Sequence, residues 1–236
     1  MEARASLSAV DKHGQTPLHL AAVKGNTEVT KVLIEAKASL SPMDNKGMTP
    51  LHLAAVKGNT DVTKVLMETG ASLSPVDNKG QTPLHMSAQR GNTEMTKVLV
   101  KAGASLSAVD KLGQTPLHMS AQRGNAEMTK VLIEAGASLS AVDNDGQTPL
   151  HLATQRGNTE MTKVLMEAGA SLSAVDKQGR TPLHMSAQKG KTEMTKVLME
   201  AGASLTAVDN DGKTPHDVAP DNVKKLLQYQ VKGSIE

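Results

Sequence analysis

The chain has 236 residues, no Phe, Trp or Cys, a single Tyr, and a formal net charge of +2. The lack of Cys excludes disulfides and thiolate chemistry, and a net charge so close to zero points to no class of partner by itself. Because aromatic side chains normally fill much of a core, this core must be built from Leu, Val, Ala and the 13 Met residues. The sequence contains no apolar run of membrane-spanning length and no signal-peptide pattern, so we expect no membrane insertion.

The tetrapeptide Thr-Pro-Leu-His recurs along most of the chain with a constant period. Its copies begin 33 residues apart, at Thr16, Thr49, Thr82, Thr115, Thr148 and Thr181, and the next step leads to a changed copy at Thr214. A fixed period of this length indicates an array of repeated supersecondary units, each of which needs its neighbours to bury its apolar faces. We therefore predict six full repeats followed by a shorter terminal one, with the boundaries 11–43, 44–76, 77–109, 110–142, 143–175, 176–208 and 209–236.

Each repeat opens with a turn and a short helix, as the first one illustrates. Residues 11–14 (Asp-Lys-His-Gly) have the composition of a tight turn. Thr16 is a suitable N-cap, and Pro17 then occupies the first helical position, where its missing N–H is harmless. Apolar residues follow at helical spacing, and Gly25 ends the helix.

A second helix follows, for which either Asn26 or Thr27 can provide the N-cap. Its apolar stripe in the first repeat consists of Val29, Val32, Leu33 and Ala36. In most later repeats, a glycine suited to left-handed geometry ends this helix, namely Gly70, Gly103, Gly136, Gly169 and Gly202. Lys37 replaces that glycine in the first repeat, where left-handed geometry should cost about 1 kcal/mol.

The two ends of the array differ from its middle. Residues 1–10 match the end of a repeat whose first part is missing, so we interpret them as the tail of an upstream repeat. With no helix pair in front of it, the first repeat should leave Leu18, Val29 and Val32 partly exposed. Residues 209–236 contain the changed tetrapeptide and a more polar last helix, which we interpret as a C-terminal capping repeat and tail.

The period, the Thr-Pro-Leu-His tetrapeptide and the glycine after the first helix make residues 11–219 similar to the ankyrin-repeat family. This resemblance implies an all-α solenoid, in which stacked helix-turn-helix units carry β-turn or hairpin tips. It also implies a protein-binding scaffold, in which the end of each first helix and the turn tips line a concave groove that contacts partners. The expected location is intracellular and cytoplasmic, while secretion as an effector directed at a host cell stays open, because such effectors often resemble this family.

Six histidines recur in register, which raises the question of a metal or catalytic site: His19, His52, His85, His118, His151 and His184. Stacked helices lie about 8–10 Å apart, whereas the ligands of one zinc ion must each lie about 2 Å from the metal. Each His follows an N-cap Thr by three residues, where it can hydrogen-bond the cap and the adjoining turn. We therefore predict structural histidines, no metal, no cofactor and no catalytic residue.

A basic residue precedes the glycine that ends each first helix, and from the third repeat onward a glutamine precedes that basic residue. The pattern comprises Lys24, Lys57, Arg90, Arg123, Arg156 and Lys189, with Gln89, Gln122, Gln155 and Gln188. The turn tips vary from repeat to repeat, at His13, Met48, Leu112, Asp145, Gln178 and Arg180. The resemblance places both sets in the groove, and we predict that they contact the partner. Solvent-facing helix positions also favour Lys, Arg and Gln in general, and recent copying would keep them in register, so both explanations stay open.

These residues predict a non-catalytic scaffold that binds a protein or peptide, because Arg and Gln suit an extended segment that carries acidic groups. The alternative is a structural spacer that holds flanking domains of a larger protein apart, which the near-identity of the repeats favours. No constellation of residues points to an enzyme or to a small-molecule substrate, and the thin basic stripe without stacking aromatics disfavours nucleic acid. We expect a monomer, unless the first repeat associates with a second copy.

Overall fold

The computed structural model describes residues 6–233, with the backbone alone for residues 229–233. Residues 1–5 of the predicted upstream tail therefore lie outside the described residues, as do the last three residues of the terminal repeat. The chain divides between Lys111 and Leu112 into two compact units, called here the N-terminal unit and the C-terminal unit.

Both units consist of helices joined by turns, and the described residues form no strand. The N-terminal unit contains α1 (Pro17–Lys24), α2 (Thr27–Glu35), α3 (Pro50–Lys57), α4 (Thr60–Glu68), α5 (Pro83–Arg90) and α6 (Thr93–Lys101). The C-terminal unit contains α7 (Pro116–Arg123), α8 (Ala126–Glu134), α9 (Pro149–Arg156), α10 (Thr159–Glu167), α11 (Pro182–Gln188), α12 (Thr192–Glu200), α13 (Pro215–Val218) and α14 (Asp221–Gly233). The predicted all-α class is confirmed.

The first helix of each pair begins and ends as its sequence predicts. Thr16 is the N-cap of α1 with an extended backbone (φ −80°, ψ 167°), and Pro17 occupies the first helical position. Gly25 ends the helix in left-handed geometry, at φ 68°. The helix α11 is an exception, because Lys189 itself is its C-cap, at φ −82°.

The second helices also follow the sequence pattern. In α2 the N-cap is Asn26 rather than Thr27, and the Asn26 Oδ1 atom accepts a hydrogen bond from the Val29 N–H at 3.0 Å. The five glycines predicted to end the later second helices all have positive φ, from 87° to 95°. Lys37 takes the same geometry with φ 70°, and no other non-glycine residue in the described part of the chain has a positive φ. The predicted backbone strain at Lys37 is therefore present.

Each unit buries its apolar side chains between neighbouring helix pairs. In the N-terminal unit, Leu51 and Leu66 lie in one cluster with the small side chains of neighbouring first helices. In the C-terminal unit, Leu150 and Leu165 lie in a similar cluster that also includes Met161. The core is thus assembled from Leu, Val, Ala and Met, as the composition requires.

The exposure of the first repeat differs from the prediction at one residue. Leu18 is fully buried, because it packs in the cluster with Leu51 and Leu66 of the following repeat. Val29 and Val32 are exposed, with 44% and 61% of their surface accessible. The predicted exposure is confirmed for these two residues of α2 and is wrong for Leu18.

Single backbone hydrogen bonds join the turn tips of neighbouring repeats within each unit. In the N-terminal unit, the Asn45 N–H donates to the His13 carbonyl oxygen at 2.9 Å. In the C-terminal unit, the Lys177 N–H donates to the Asp145 carbonyl oxygen at the same distance, 2.9 Å. These bonds fix the spacing of the tips, which carry one of the two predicted sets of contact residues.

Two buried threonine hydroxyls, those of Thr63 and Thr162, have no hydrogen-bond partner among the described residues. The equivalent hydroxyl of Thr129 lies 2.8 Å from the Ser120 Oγ atom, within hydrogen-bond distance. Thr162 has no such partner because Ala153 stands at the position of that serine. The orphaned hydroxyl therefore follows from one difference between otherwise similar repeats.

Restoring the missing partner should stabilise the C-terminal unit. We expect Ala153→Ser to raise the free energy of unfolding by about 0.5–1.5 kcal/mol, because the new hydroxyl satisfies a buried polar group. Urea unfolding of the variant and the parent protein measures the change. Thr162→Val removes the orphaned hydroxyl and should be neutral or stabilising, whereas Thr129→Val breaks an existing bond and should destabilise. Equal effects of the two valine substitutions would contradict this explanation.

Candidate partner-binding surface

The residues predicted to contact a partner lie at the ends of the first helices and at the turn tips. The basic helix-end residues are all exposed: Lys57, Arg90, Arg123, Arg156 and Lys189. The preceding glutamine is exposed at Gln188 and half-buried at Gln89, Gln122 and Gln155. In the N-terminal unit α3 packs against α1 and α5, and in the C-terminal unit α9 packs against α7 and α11. Within each unit, successive helix ends therefore lie beside one another.

The basic helix-end residues sit in the last turn of their helices or at the C-cap. A positive charge there interacts favourably with the helix dipole, so this position alone can account for a Lys or an Arg. Within the described residues, the side chains of Arg90, Arg123 and Arg156 have no hydrogen bond or ion pair. Their guanidinium groups can therefore bind a ligand without breaking an existing interaction.

In the N-terminal unit, tip residues and helix-end residues line one pocket of about 400 Å³. Of the predicted contact residues, Met48 from a tip and Gln89 and Arg90 from the end of α5 come together here. Sequence reasoning missed the other main lining residues, which are Lys46, Val56, Lys79, Gln81 and Met86. Val56 carried a signal, because glutamine occupies its position from the third repeat onward. Lys46 and Lys79 carried no such signal in the sequence, because lysine is common on any exposed turn.

Positive charge surrounds this pocket. Lys46, Lys79 and Arg90 form no ion pair within the described part of the chain. Asp77, the acidic residue of the lining, is buried, and its Oδ1 atom accepts hydrogen bonds from the N–H groups of Lys79 and Gln81, both at 2.8 Å. Asp77 therefore holds the turn together, while the three cations face the solvent around the pocket.

The predicted tip residues of the C-terminal unit differ in their surroundings. Leu112 is 61% exposed, and Asp145 and Gln178 are also exposed. Arg180 is held within the unit, because its Nε and Nη2 atoms donate to Asp176 Oδ2 at 2.9 and 2.7 Å, and Nη2 also donates to Gln178 Oε1 at 2.9 Å. Asp176 is buried, so this ion pair stabilises the turn. Arg180 therefore has fewer N–H groups for a partner than the helix-end arginines have.

The repeated histidines connect each N-cap to the next repeat. In α3, the His52 Nδ1 atom accepts a hydrogen bond from the Thr49 N–H at 3.1 Å. The His52 Nε2 atom lies 3.0 Å from the Gln81 carbonyl oxygen, and because a carbonyl can only accept, Nε2 carries the proton. The same bonds connect His151 to Thr148 at 3.2 Å and to a carbonyl oxygen of the next repeat at 3.0 Å. The predicted structural role is confirmed, with a link to the next repeat that the spacing did not reveal.

Both ring nitrogens of these histidines are thus occupied by hydrogen bonds within the fold. In the part of the chain that the structure describes, no three His, Asp or Glu side chains come together to hold a metal ion.

No helix between residues 6 and 233 combines the length and the apolar character needed to cross a bilayer.

Burial lowers the pKa of His52 and of His151 below the ordinary value of 6.5. The unfolded chain therefore binds protons at these residues at pH values where the folded protein does not. We expect the free energy of unfolding to fall as the pH decreases below 6.5, by at most about 1.4 kcal/mol per pH unit for each group until its lowered pKa is reached. Urea unfolding at about pH 7.5 and about pH 5.5 measures this loss. Equal stability at the two pH values would contradict the neutral, buried state of both histidines.

A family model that describes ankyrin repeats, in three copies, matches the chain over residues 3–77, 73–143, 102–176, 136–209 and 169–233. These matches overlap and together extend over almost the whole sequence. The chain belongs to the ankyrin-repeat family, as its repeated tetrapeptide indicates. No curated protein matches the sequence significantly.

Two solved structures illustrate the similarity. The ankyrin repeat domain of Bcl-3, a unique member of the IkappaB protein family, shares 29% sequence identity and gives a TM-score of 0.82, over 92% of this chain and 100% of that chain. The human ASB11 ankyrin repeat domain shares 27% identity with a TM-score of 0.82, over 92% of this chain and 98% of that chain. These similarities confirm the predicted ankyrin fold.

Proposed function

We propose that this protein is a non-catalytic scaffold that binds an extended, acidic segment of a partner protein through its helix-end residues and turn tips. Ankyrin-repeat domains are in general protein-interaction modules, which supplies the class of function. The choice of surface is supported by the pocket of the N-terminal unit, where Met48 from a tip lies with Gln89 and Arg90 from a helix end. A concave pocket with a few converging polar groups is the usual form of a binding site.

The chemistry of the helix-end residues favours an extended acidic ligand. An arginine grips a carboxylate through two parallel N–H donors, and a glutamine can both donate to and accept from the backbone of an extended chain. First helices that pack on one another lie about 10 Å apart, whereas an extended chain advances about 3.3 Å per residue. Every third residue of the partner would therefore meet one helix end, such as Arg123 and then Arg156 within the C-terminal unit.

A structural spacer is the second candidate function. The near-identity of the repeats favours it, and the helix dipole accounts for a basic residue at a helix end without any ligand. A spacer does not explain why the tips vary while the rest of the repeat is copied. It also does not explain why Met48 and Val56 depart from the glutamines common at their positions and line one pocket. We therefore prefer the interaction scaffold.

Site-specific photo-crosslinking tests the proposal. A benzoylphenylalanine residue replaces either Gln122 at a helix end or Lys130 on a second helix, and each protein is irradiated in a cell extract. We expect the Gln122 protein to capture partner peptides rich in Asp and Glu, and we expect less capture as salt is raised, because salt screens exposed ion pairs. The Lys130 protein should not capture them. Capture of the same peptides from both positions, or of none from either, would favour the spacer.

A further inference from the structure

Two departures from the repeat pattern meet in the pocket of the N-terminal unit. Met48 stands where the other full repeats have glutamine or, in the sixth repeat, arginine. Val56, like Val23 of the first repeat, stands where the third to sixth repeats have glutamine. Both side chains are half-buried, and both line the pocket together with Met86 of α5, which is 6% exposed. The lining therefore contains three apolar side chains, two of them at positions where the third to fifth repeats have glutamine.

The surroundings of this lining are cationic. Lys46, Lys79 and Arg90 are exposed, and none of them has an ion-pair partner in the described part of the chain. The carboxylate of Asp77 is buried and hydrogen-bonded to its own turn. It is the single acidic group of the lining against three cations, so an excess of positive charge remains. An apolar lining with a cationic rim suits a ligand that is apolar at its centre and anionic on its flanks.

An aromatic side chain fits this pocket better than an aliphatic one. The volume of about 400 Å³ lies in the range of ordinary ligand pockets. Met48 and Met86 supply thioethers, which make favourable contacts with aromatic rings, and the Arg90 guanidinium can stack on a ring face. Interfaces usually contain aromatic hot-spot residues, and this chain has a single aromatic residue of its own, Tyr229. The ring must therefore come from the partner.

We propose that this pocket binds an aromatic side chain of the partner protein, flanked in the partner sequence by Asp or Glu residues that pair with Lys46, Lys79 and Arg90. The proposal rests on the scaffold function proposed above and adds to it the anchor residue by which the acidic segment is recognised. The acidic flanks supply attraction and register, while the buried ring supplies selectivity among acidic segments.

Three synthetic heptapeptides test this proposal with the full chain. One has a central Phe between acidic residues, the second has a central Ala between the same acidic residues, and the third has a central Phe between lysines. NMR of methyl-labelled methionine reports directly on Met48 and Met86. We expect the acidic Phe peptide to shift both methyl signals and to bind about tenfold more tightly than the acidic Ala peptide, as burial of one apolar side chain implies. The lysine peptide should not bind.

The double substitution Met48→Gln and Val56→Gln gives the pocket the residues that the third, fourth and fifth repeats have at these positions. The fold should persist, because the third repeat has glutamine at both equivalent positions, Gln81 and Gln89. In the third repeat, for example, the Gln81 Nε2 atom donates to the Asp110 Oδ2 atom of the next repeat at 3.3 Å. We expect this variant to bind the two acidic peptides equally, with the Phe peptide weakened about tenfold.

A matched control makes the same chemical change outside the pocket. Met43→Gln with Val76→Gln alters two exposed residues, with 55% and 45% of their surface accessible, and should keep the preference for Phe. Equal binding of the two acidic peptides to the parent protein, with unshifted methyl signals, would overturn the aromatic anchor and leave the scaffold function standing. Binding of the lysine peptide as tight as that of the acidic Phe peptide would overturn the acidic flanks. If neither acidic peptide binds, the scaffold function fails together with the anchor.

Discussion

Replacing His151 by leucine should lower the free energy of unfolding by about 2–4 kcal/mol. His151 is fully buried, its Nδ1 atom accepts from the Thr148 N–H at 3.2 Å, and its Nε2 atom donates to the Arg180 carbonyl oxygen at 3.0 Å. Leucine keeps most of the volume but has no polar atom, so the buried Thr148 N–H loses its partner at a cost of about 1–3 kcal/mol. The lost bond to the carbonyl oxygen adds about 1 kcal/mol and removes a link between two repeats.

Urea unfolding of the parent protein and of the His151→Leu variant measures this loss. The control is His13→Leu, because His13 is exposed at a turn tip and its substitution should change the free energy of unfolding by no more than about 0.5 kcal/mol. In a repeat array, stability depends strongly on the interfaces between neighbours, so a bond that crosses an interface should matter more than one at a tip. Indistinguishable losses in the two variants would show that the histidine bonds do not hold the repeats together.

The sequence predicts local features of this fold better than its packing. The N-cap at Thr16, the helix end at Gly25 and the strained backbone of Lys37 all depend on residues close in sequence, and all three predictions are confirmed. The burial of Leu18 was predicted wrongly, because it depends on contacts with Leu51 of the next repeat, 33 positions further along the chain. The histidine bonds to the next repeat were missed for the same reason.

The candidate surface was predictable only in part. The repeated position of Arg90 at a helix end and the variable residue Met48 at a tip were visible in the sequence, and the structure brings both to one pocket. Arg180 was predicted to contact the partner because it is also a variable tip residue. Its Nη2 atom instead donates to the Oδ2 atom of Asp176 in its own turn. No spacing rule distinguishes these two outcomes, because the direction of a long side chain depends on which buried carboxylate lies within its reach. Lys46 lies two residues before Met48 at the same turn tip and lines the same pocket.

Charge reversal at Arg123 and Arg156 should weaken the binding of an acidic partner segment by about 100-fold, or roughly 3 kcal/mol. Both residues are exposed at the ends of the neighbouring helices α7 and α9, and neither has an ion pair within the described residues. In the double variant Arg123→Glu with Arg156→Glu, repulsion replaces attraction at each site. The fold should persist, because a carboxylate at a helix C-terminus costs only about 0.3–1 kcal/mol. Fluorescence anisotropy with the segment captured through the Gln122 crosslinker measures the change.

The double variant Lys130→Glu with Lys163→Glu separates local recognition from net charge. It makes the same change of charge at two exposed positions of the second helices α8 and α10 in the same unit. Because salt screens exposed charges beyond about 10 Å at 0.1 M ionic strength, these substitutions should affect the partner much less than substitutions in direct contact with it. Added salt should shrink the remaining effect of the lysine variant further. If both variants weaken binding equally, the affinity for the partner depends on the overall charge of the unit, and the helix ends are not the binding site.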